Sequence, residues 1–255
     1  MHLTLSRPEL RNALNPELIA ELTQIFLQAA ADRQLRVIVL RGQGSYFCAG
    51  ADLNWMREMA QYSPEENLAD ALKLALLFEA IDQAPQAVIS VVQGGAFGGG
   101  LGLMCCSDFV IASSDCQFAF SEVRLGISPA TIGPYVAARI GQAAARDLLL
   151  SGRRFDSAHA WQIQLVNRIV EAAELESALD QCCSEYLQAA PLALAETKQI
   201  LLDLQDDPLL GGTAGERAQL RQRTSQLIAN LRGSKEGQAG LAAFLRRENA
   251  PWTED

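Results

Sequence analysis

The segment "GGAFGGGLGLMCC", residues 94–106, has six glycines among its first nine residues and then continues into apolar sequence. Glycine has no Cβ, so a ligand can reach the main-chain N–H groups, and a helix can also pack closely on a sheet. Nucleotide-binding glycine motifs do not fit, because no lysine follows as in a Walker loop and GxGxxG is not completed. The segment alone leaves two interpretations, backbone access for a ligand and close packing.

A second loop of small residues favours backbone access. "SYFCAGADLNWM" (45–56) follows the apolar run "RVIVLRG" (36–42), just as the glycine segment follows "AVISVVQG" (87–94). Both runs are typical of buried strands. Adjacent strands would bring the two loops to one edge of a sheet, where two backbone N–H groups could hold an oxyanion.

The rest of the chain alternates helical and strand patterns, which indicates an α/β fold. We predict two helices with polar and apolar faces, the first burying Leu18, Leu22 and Ile25, and further short strands. The chain opens inside a predicted strand, "HLTLSRP", so we expect an edge hairpin to be missing at the N-terminus. The predicted helices span 16–32 and 64–84, the further strands span 108–113 and 116–120, and residues from Pro129 onward are almost all helical. The predicted domains are a core, 1–190, and a C-terminal helical portion, 191–255.

Composition narrows the functional classes. The 255 residues carry a net charge of −9, with the basic residues spread out except in the helical stretch 216–235. We interpret that stretch as a solvated surface, with phosphate or partner binding as the alternative. This balance disfavours nucleic acid as a partner, since phosphate binding needs a concentrated basic face. No apolar run is long enough to cross a membrane, and the N-terminus lacks a secretory signal, so we expect a cytoplasmic protein without a membrane partner.

Metal sites and disulfides are not expected. The six cysteines show no CxxC spacing and are interpreted as reduced, mostly buried side chains. The only histidines are His2 and His159, and His159 lies in a helical pattern where a structural role is expected. No metal site is therefore predicted.

Six segments together resemble the crotonase, or enoyl-CoA hydratase/isomerase, superfamily. They cover nearly the whole chain in the family's order: "SRPELRNALN", "FCAGADL", "VVQGGAFGGGLGL", "SDFVIAS", "FSEVRLGISP" and "AFLRRENAPW". The resemblance implies a β-β-α spiral core with an acyl-CoA site, a C-terminal helical portion used in trimerisation, and a homotrimer or homohexamer. It also implies an acyl-CoA thioester as ligand. Coenzyme A then enters as part of the substrate, and no separate cofactor is expected.

The resemblance also assigns residues. The two oxyanion-hole N–H groups fall on Ala51, in "CAGA", and on Gly99, the middle glycine of "GGG". The backbone of Ala49, Ala51 and Leu53 would contact the adenine portion of coenzyme A. Of the two glutamates that hold water in typical hydratases of the family, the second corresponds to Glu122. The first is replaced by Gly102, twenty residues earlier.

Glu122 lies among apolar neighbours, Phe118, Phe120, Val123 and Leu125, which should raise its pKa into a range useful for acid–base catalysis. A single glutamate leaves three interpretations: an isomerase, a hydratase in which Glu122 is both base and acid, or a decarboxylase or thioester hydrolase. Loss of a catalytic residue also leaves open a non-catalytic or RNA-binding relative, although the acidic charge opposes RNA.

The sequences around these sites favour the one-glutamate hydratase. They resemble bacterial hydratases of methylglutaconyl-CoA and of carboxygeranoyl-CoA or isohexenylglutaconyl-CoA, whose substrates are branched at C3 and carry a distal carboxylate. As a hypothesis, Gly102 removes a charge that would repel this carboxylate and leaves volume for the branch. Arg124 is a candidate partner for the carboxylate if its side chain points inward. A strand would place Glu122 and Arg124 on one face, and a loop is the alternative local structure.

Overall fold

The structure is a computed structural model that describes residues 1–205 and 213–253, and its larger sheet has five parallel strands. Its strand order is β1-β2-β3-β5-β8, and a second sheet has the order β4-β6-β7, with β4 and β6 parallel and β7 antiparallel to β6. The strands are β1 (His2–Leu5), β2 (Val37–Gly42), β3 (Ala87–Val92), β4 (Gly95–Phe97), β5 (Phe109–Ser113), β6 (Gln117–Ala119), β7 (Phe155–Asp156) and β8 (Arg168–Val170).

Ten α-helices complete the described part of the chain, together with short 3-10 helices. The α-helices are α1 (Pro16–Ala31), α2 (Leu53–Met59), α3 (Pro64–Asp82), α4 (Gly99–Cys105), α5 (Gly133–Ser151), α6 (Ser157–Gln162), α7 (Leu175–Leu187), α8 (Pro191–Gln205), α9 (Ala214–Gly233) and α10 (Lys235–Arg246). One 3-10 helix, Glu122–Leu125, belongs to the candidate site described below.

Local sequence explains where the two long early helices begin. Asn15 caps α1, its side chain accepting a hydrogen bond from the Leu18 N–H at 3.0 Å. Ser63 and Glu66 form a capping box on α3, in which each side chain accepts from the other residue's N–H. Both helices also have a proline at their first position, where a missing N–H costs no intrahelical bond.

The buried strands explain why the parallel sheet forms where it does. Every residue of β3 is buried, and β2 is buried except at Arg41. Such continuous apolar runs fit a sheet covered on both faces. β2 pairs with β3 in the register Val39 to Ile89, so the two strands end at the same edge of the sheet. This pairing brings the two small-residue loops together.

The structure confirms the predicted α/β class with a parallel sheet and C-terminal helices. Three strands were not predicted: β4 lies inside the glycine segment, and β7 and β8 lie in the part expected to be helical. Each is only two or three residues long, too short to show a periodic pattern. The buried face of α1 runs through Ile19, Leu22 and Phe26, while the predicted Leu18 and Ile25 are only partly buried.

The chain forms two compact units, 1–181 and 182–255. The predicted boundary between 190 and 191 falls where α8 begins. Within the second unit, the Glu236 carboxylate accepts from the N–H groups of Leu192 and Ala193 at 3.0 and 3.1 Å and so caps α8. Residues 206–212 and 254–255 of the predicted helical portion lie outside the described residues.

No helix in the part of the chain that the structure describes is both long enough and apolar enough to span a membrane.

Candidate active site

The loops that follow β2 and β3 meet directly, as the sequence predicts. Cys48, from the first loop, forms an isolated parallel bridge with Ala96 of β4. The Phe97 N–H donates to the Cys48 carbonyl at 3.0 Å, and the Cys48 N–H donates to the Gly95 carbonyl at 3.4 Å. Backbone hydrogen bonds therefore fix the first loop against the glycine segment.

Ala51 is held so that its own N–H is free. The Leu14 N–H donates to the Gly50 carbonyl at 2.7 Å, and the Asp52 N–H donates to the Leu14 carbonyl at 2.8 Å. Because backbone groups alternate in an extended chain, the N–H of the intervening Ala51 points away from Leu14. Among the described residues this N–H has no protein acceptor. It is available to a ligand.

The second candidate donor, the Gly99 N–H, lies at the start of α4. Gly99 is the first residue of the helix, and its N–H has no partner one turn earlier. No other acceptor for it occurs in residues 1–205 or 213–253. Gly98, just before it, adopts φ 48° and ψ −119°, and its N–H donates to the Ala119 carbonyl at 3.1 Å. That positive φ favours glycine and allows the chain to turn into the helix with the Gly99 N–H exposed.

Glu122 brings its carboxyl group to this glycine turn. It is the first residue of the 3-10 helix that follows β6. A methyl group placed on the Cα of Gly98 would lie 3.1 Å from Glu122 Oε1. The other oxygen, Oε2, is buried and has no hydrogen-bond partner in the described part of the chain. Burial raises the pKa of Glu122, as its apolar neighbours led us to expect, although a backbone hydrogen bond opposes the shift.

The chemistry available here is that of a polarised carbonyl beside a general base. The methyl position on Gly50 would lie 3.9 Å from the Gly98 Cα, so the first loop, the glycine turn and Glu122 lie within one small region. Two free N–H donors can stabilise negative charge that develops on an oxygen. A partly buried carboxyl with a raised pKa can accept and return a proton.

Gly102 does not leave an open volume, so the expectation of free room for a substrate branch is wrong. A methyl group at position 102 would lie 2.6 Å from Ile132 Cγ2 and 2.7 Å from Phe78 Cε1 and Cζ. Both side chains are buried. The room that a side chain at 102 would need is therefore filled by apolar groups from α3 and from the residue before α5.

Arg124 lies on the 3-10 helix, not on a strand, so it does not share a strand face with Glu122. Its Nε donates to the Ser151 carbonyl at 3.1 Å, at the end of α5. Leu53 is exposed at the start of α2, and the Ala49 N–H donates to the Arg11 carbonyl at 2.9 Å. The binding roles of Ala49, Leu53 and Arg124 stay predictions.

The sequence did not reveal an ion pair beside Ala51. Arg7 Nη2 lies 2.7 Å from Asp52 Oδ2. Burial alone would raise the pKa of Asp52, but the hydrogen bond and charge of Arg7, together with the backbone N–H groups of Asn54 and Trp55, hold it below its usual value. The contact joins residues 45 positions apart, so no local sequence pattern predicts it.

The cysteines and His159 are the other reactive side chains that the sequence singled out. Among the residues that the structure describes, no group of three or more His, Cys, Asp or Glu side chains could hold a metal ion. All six cysteines are free thiols, and burial raises the pKa of Cys48 and Cys105 to about 12. The His159 ring packs edge-on against Phe155, with its Nε2 3.2 Å from Arg153 Nη2, which fits the structural role expected for it.

Comparison with known proteins identifies the family of this chain. The sequence pattern of the family described as "Enoyl-CoA hydratase/isomerase" matches residues 1–255. The structure resembles an enoyl-CoA hydratase from Shewanella pealeana ATCC 700345, with a TM-score of 0.92, 39% identity, and coverage of 98% of this chain and 91% of that one.

Two curated relatives are similar over most of their length. One is the enoyl-CoA hydratase AKT6-1 of Alternaria alternata, 33% identical over 257 residues, with coverage of 99% of this chain and 80% of the relative. The other is the 2,3-dehydroadipyl-CoA hydratase of Escherichia coli K12, 34% identical over 247 residues, with coverage of 96% and 91%.

Proposed function

The chain belongs to the enoyl-CoA hydratase/isomerase family and is an enoyl-CoA hydratase-type enzyme, and we propose that it adds water to a branched, carboxylated α,β-unsaturated acyl-CoA. The observation that carries this proposal is the position of the Glu122 carboxyl against Gly98, beside the free N–H groups of Ala51 and Gly99.

In the proposed reaction, the N–H groups of Ala51 and Gly99 donate to the thioester carbonyl oxygen. Their hydrogen bonds strengthen as the carbonyl gains enolate character, which lowers the barrier to attack at C3. The Glu122 carboxylate takes a proton from water while the water oxygen bonds to C3. The carboxyl then returns a proton to C2, and Glu122 is regenerated. One group thus serves as base and acid.

Two observations support a carboxylated substrate. Position 102 is a glycine packed against Phe78 and Ile132, so it carries no charge that would repel a carboxylate. One relative is named for 2,3-dehydroadipyl-CoA, an unsaturated thioester of a dicarboxylic acid. We propose 3-methylglutaconyl-CoA or an isoprenoid glutaconyl-CoA as substrates of this class. Arg124 is proposed to pair with the distal carboxylate through its Nη groups, since only its Nε donates to the Ser151 carbonyl.

The remaining features are proposed from the family resemblance. The backbone of Ala49, Ala51 and Leu53 would contact the adenine of coenzyme A, which enters and leaves as part of the substrate. The helices from α8 onward would form a homotrimer, with a homohexamer as the larger assembly. The proposed location is the cytoplasm.

The test is a side-by-side assay with 3-methylglutaconyl-CoA, a longer isoprenoid glutaconyl-CoA and crotonyl-CoA in ¹⁸O-labelled water, with products identified by mass. We expect label in a 3-hydroxyacyl product and a preference for the carboxylated thioesters. Migration of the double bond without label would identify an isomerase. Turnover of none of the three would contradict hydration of this substrate class.

A further inference from the structure

The Arg7 guanidinium hydrogen-bonds to Ala13 and Asp52, which lie next to the β-bridge between Leu14 and Ala51. Arg7 Nη1 donates to the Ala13 carbonyl at 2.6 Å, and Arg7 Nη2 donates to Asp52 Oδ2 at 2.7 Å. Ala13 immediately precedes Leu14, and Asp52 immediately follows Ala51. Arg7 therefore holds together the two chain segments that form the Leu14–Ala51 bridge.

The same carboxylate also fixes the helix that begins after Ala51. Asp52 Oδ1 accepts from the Asn54 N–H at 2.7 Å and caps α2. Its two oxygens thus have separate tasks, one on the helix and one on Arg7. When both hydrogen bonds of the Asp52 carboxylate are formed, the backbone on the C-terminal side of Ala51 has little freedom to rotate.

Neighbouring contacts fix the other end of Arg7. The Arg7 N–H donates to Asn12 Oδ1 at 3.0 Å. The Asn12 Nδ2 donates to the carbonyls of Gln43 and Tyr46 at 2.9 and 2.7 Å, in the loop that leads to Ala51. Asn12 is fully buried. Arg7 is thus anchored to the same loop at its backbone and at its guanidinium.

The ion pair of Arg7 and Asp52 is more buried than an ordinary surface pair. The side chains of Arg7 and Asp52 are 23% and 6% exposed, whereas those of Arg153 and Asp147, which make a contact of the same 2.7 Å, are 39% and 53% exposed. Exposed pairs of that kind contribute little, but removal of one partner from a buried pair leaves a charge without compensation. Loss of Arg7 should therefore move the Asp52 backbone, and with it Ala51.

We propose that Arg7, acting through Asp52, is a positioning residue that aims the Ala51 N–H at the thioester carbonyl oxygen. This inference rests on the proposed function, because it assumes that the Ala51 N–H binds that oxygen. A misplacement of about 1 Å in a catalytic group can cost on the order of 100-fold in rate. Because the contact strengthens as charge develops, the loss should fall on kcat more than on KM.

The experiment compares the full-length protein with Arg7→Met, Arg7→Lys and Asp52→Asn, and uses Arg153→Met as the matched control. Arg7→Met keeps a long apolar side chain without the charge, Arg7→Lys restores the charge, and Asp52→Asn keeps an oxygen for the α2 cap. Steady-state kinetics with the best enoyl-CoA are measured on samples shown by thermal unfolding to be folded.

A second readout does not require turnover. Butanoyl-CoA is saturated and cannot be hydrated, and a ¹³C label at its carbonyl allows the C=O stretch of the bound thioester to be followed by infrared difference spectroscopy. Donation by the Ala51 and Gly99 N–H groups lowers this frequency. We expect a clear downshift in wild type and in Arg153→Met.

For Arg7→Met we expect a smaller downshift and a kcat reduced about 10- to 100-fold, with KM changed less than threefold. Arg7→Lys should recover part of both values. A folded Arg7→Met with wild-type kcat and an unchanged downshift would overturn the proposal. A wild-type protein that shows the downshift but hydrates none of the enoyl-CoA thioesters would instead contradict the proposed function, while the infrared series still tests Arg7.

Discussion

Replacement of Glu122 by glutamine should lower activity and raise stability at the same time. Glutamine has nearly the same shape but cannot exchange a proton. General acid–base catalysis contributes about 10²- to 10⁴-fold to rate, and Glu122 is proposed to act in both directions. We therefore expect kcat/KM to fall by about 10⁴-fold, or ~5.4 kcal/mol of transition-state stabilisation at about 1.36 kcal/mol per factor of ten.

The stability change follows from the environment of the carboxyl group. Oε2 is buried without a partner, so the ionised form is disfavoured in the folded protein. An unsatisfied buried group costs about 1–3 kcal/mol, and the partial exposure of Glu122 places it at the lower end. We expect the free energy of unfolding of Glu122→Gln to exceed that of wild type by ~1 kcal/mol at pH 8.

The pH dependence of this difference has a definite sign. The folded-state pKa of Glu122 is raised above its ordinary value of 4.5, so the folded protein holds the proton to higher pH than the unfolded chain. Wild type is therefore destabilised as pH rises through this range, while below the ordinary value both proteins carry a neutral side chain. The advantage of Glu122→Gln should vanish by about pH 4.

Urea unfolding at pH 4 and pH 8, together with the labelled-water assay, measures both effects. Glu9→Gln provides the control, because Glu9 is an exposed side chain on the 3-10 helix Pro8–Leu10 and takes no part in the proposed reaction. It should leave activity and stability unchanged. Activity of Glu122→Gln within tenfold of wild type, or a stability gain of equal size at both pH values, would refute the reasoning.

Three further outcomes are expected. The profile of kcat/KM for hydration should fall on the acid side through an apparent pKa above 4.5, because Glu122 must be ionised to take a proton from water; a limb at the ordinary glutamate value would contradict this. Gly98→Ala should lose about 1–3 kcal/mol in denaturant unfolding and most of its kcat, because φ is 48° and its methyl would lie 3.1 Å from Glu122 Oε1. Gly102→Ala should be destabilised by ~1–3 kcal/mol, and Phe78→Leu in the same chain should recover part of the loss in a thermal double-mutant cycle; strictly additive losses would show that Phe78 does not cause the clash.

The sequence predicts those parts of the fold that have strong local patterns. β2, β3 and β5 are continuous apolar runs, and α1 and α3 have clear caps, so their positions follow from neighbouring residues alone. β7 and β8 are too short for such a pattern. β8 forms because β5 offers it an edge to pair with, which is a tertiary effect that the local sequence does not encode.

The candidate site shows the same division. The adjacency of the two loops followed from two parallel strands, and the raised pKa of Glu122 was predicted from the apolar residues near it in sequence. The contact of Arg7 with Asp52 could not be predicted in this way, because it joins residues 45 positions apart. The residues that fill the space above Gly102 come from 24 positions before it and 30 after it.

Three glycines of the segment 94–106 are required for different physical reasons, which explains why composition alone could not assign their roles. Gly98 is required by its positive φ and by the approach of the Glu122 carboxyl. Gly99 supplies a free N–H at the start of α4, which any residue could supply, but its methyl position lies only 3.0 Å from Leu14 Cδ1. Gly102 is required by Phe78 and Ile132. A larger residue at 102 therefore disturbs packing whatever its charge. A glutamate at this position tests repulsion of the substrate carboxylate only in a chain where Phe78 has first been replaced by a smaller residue.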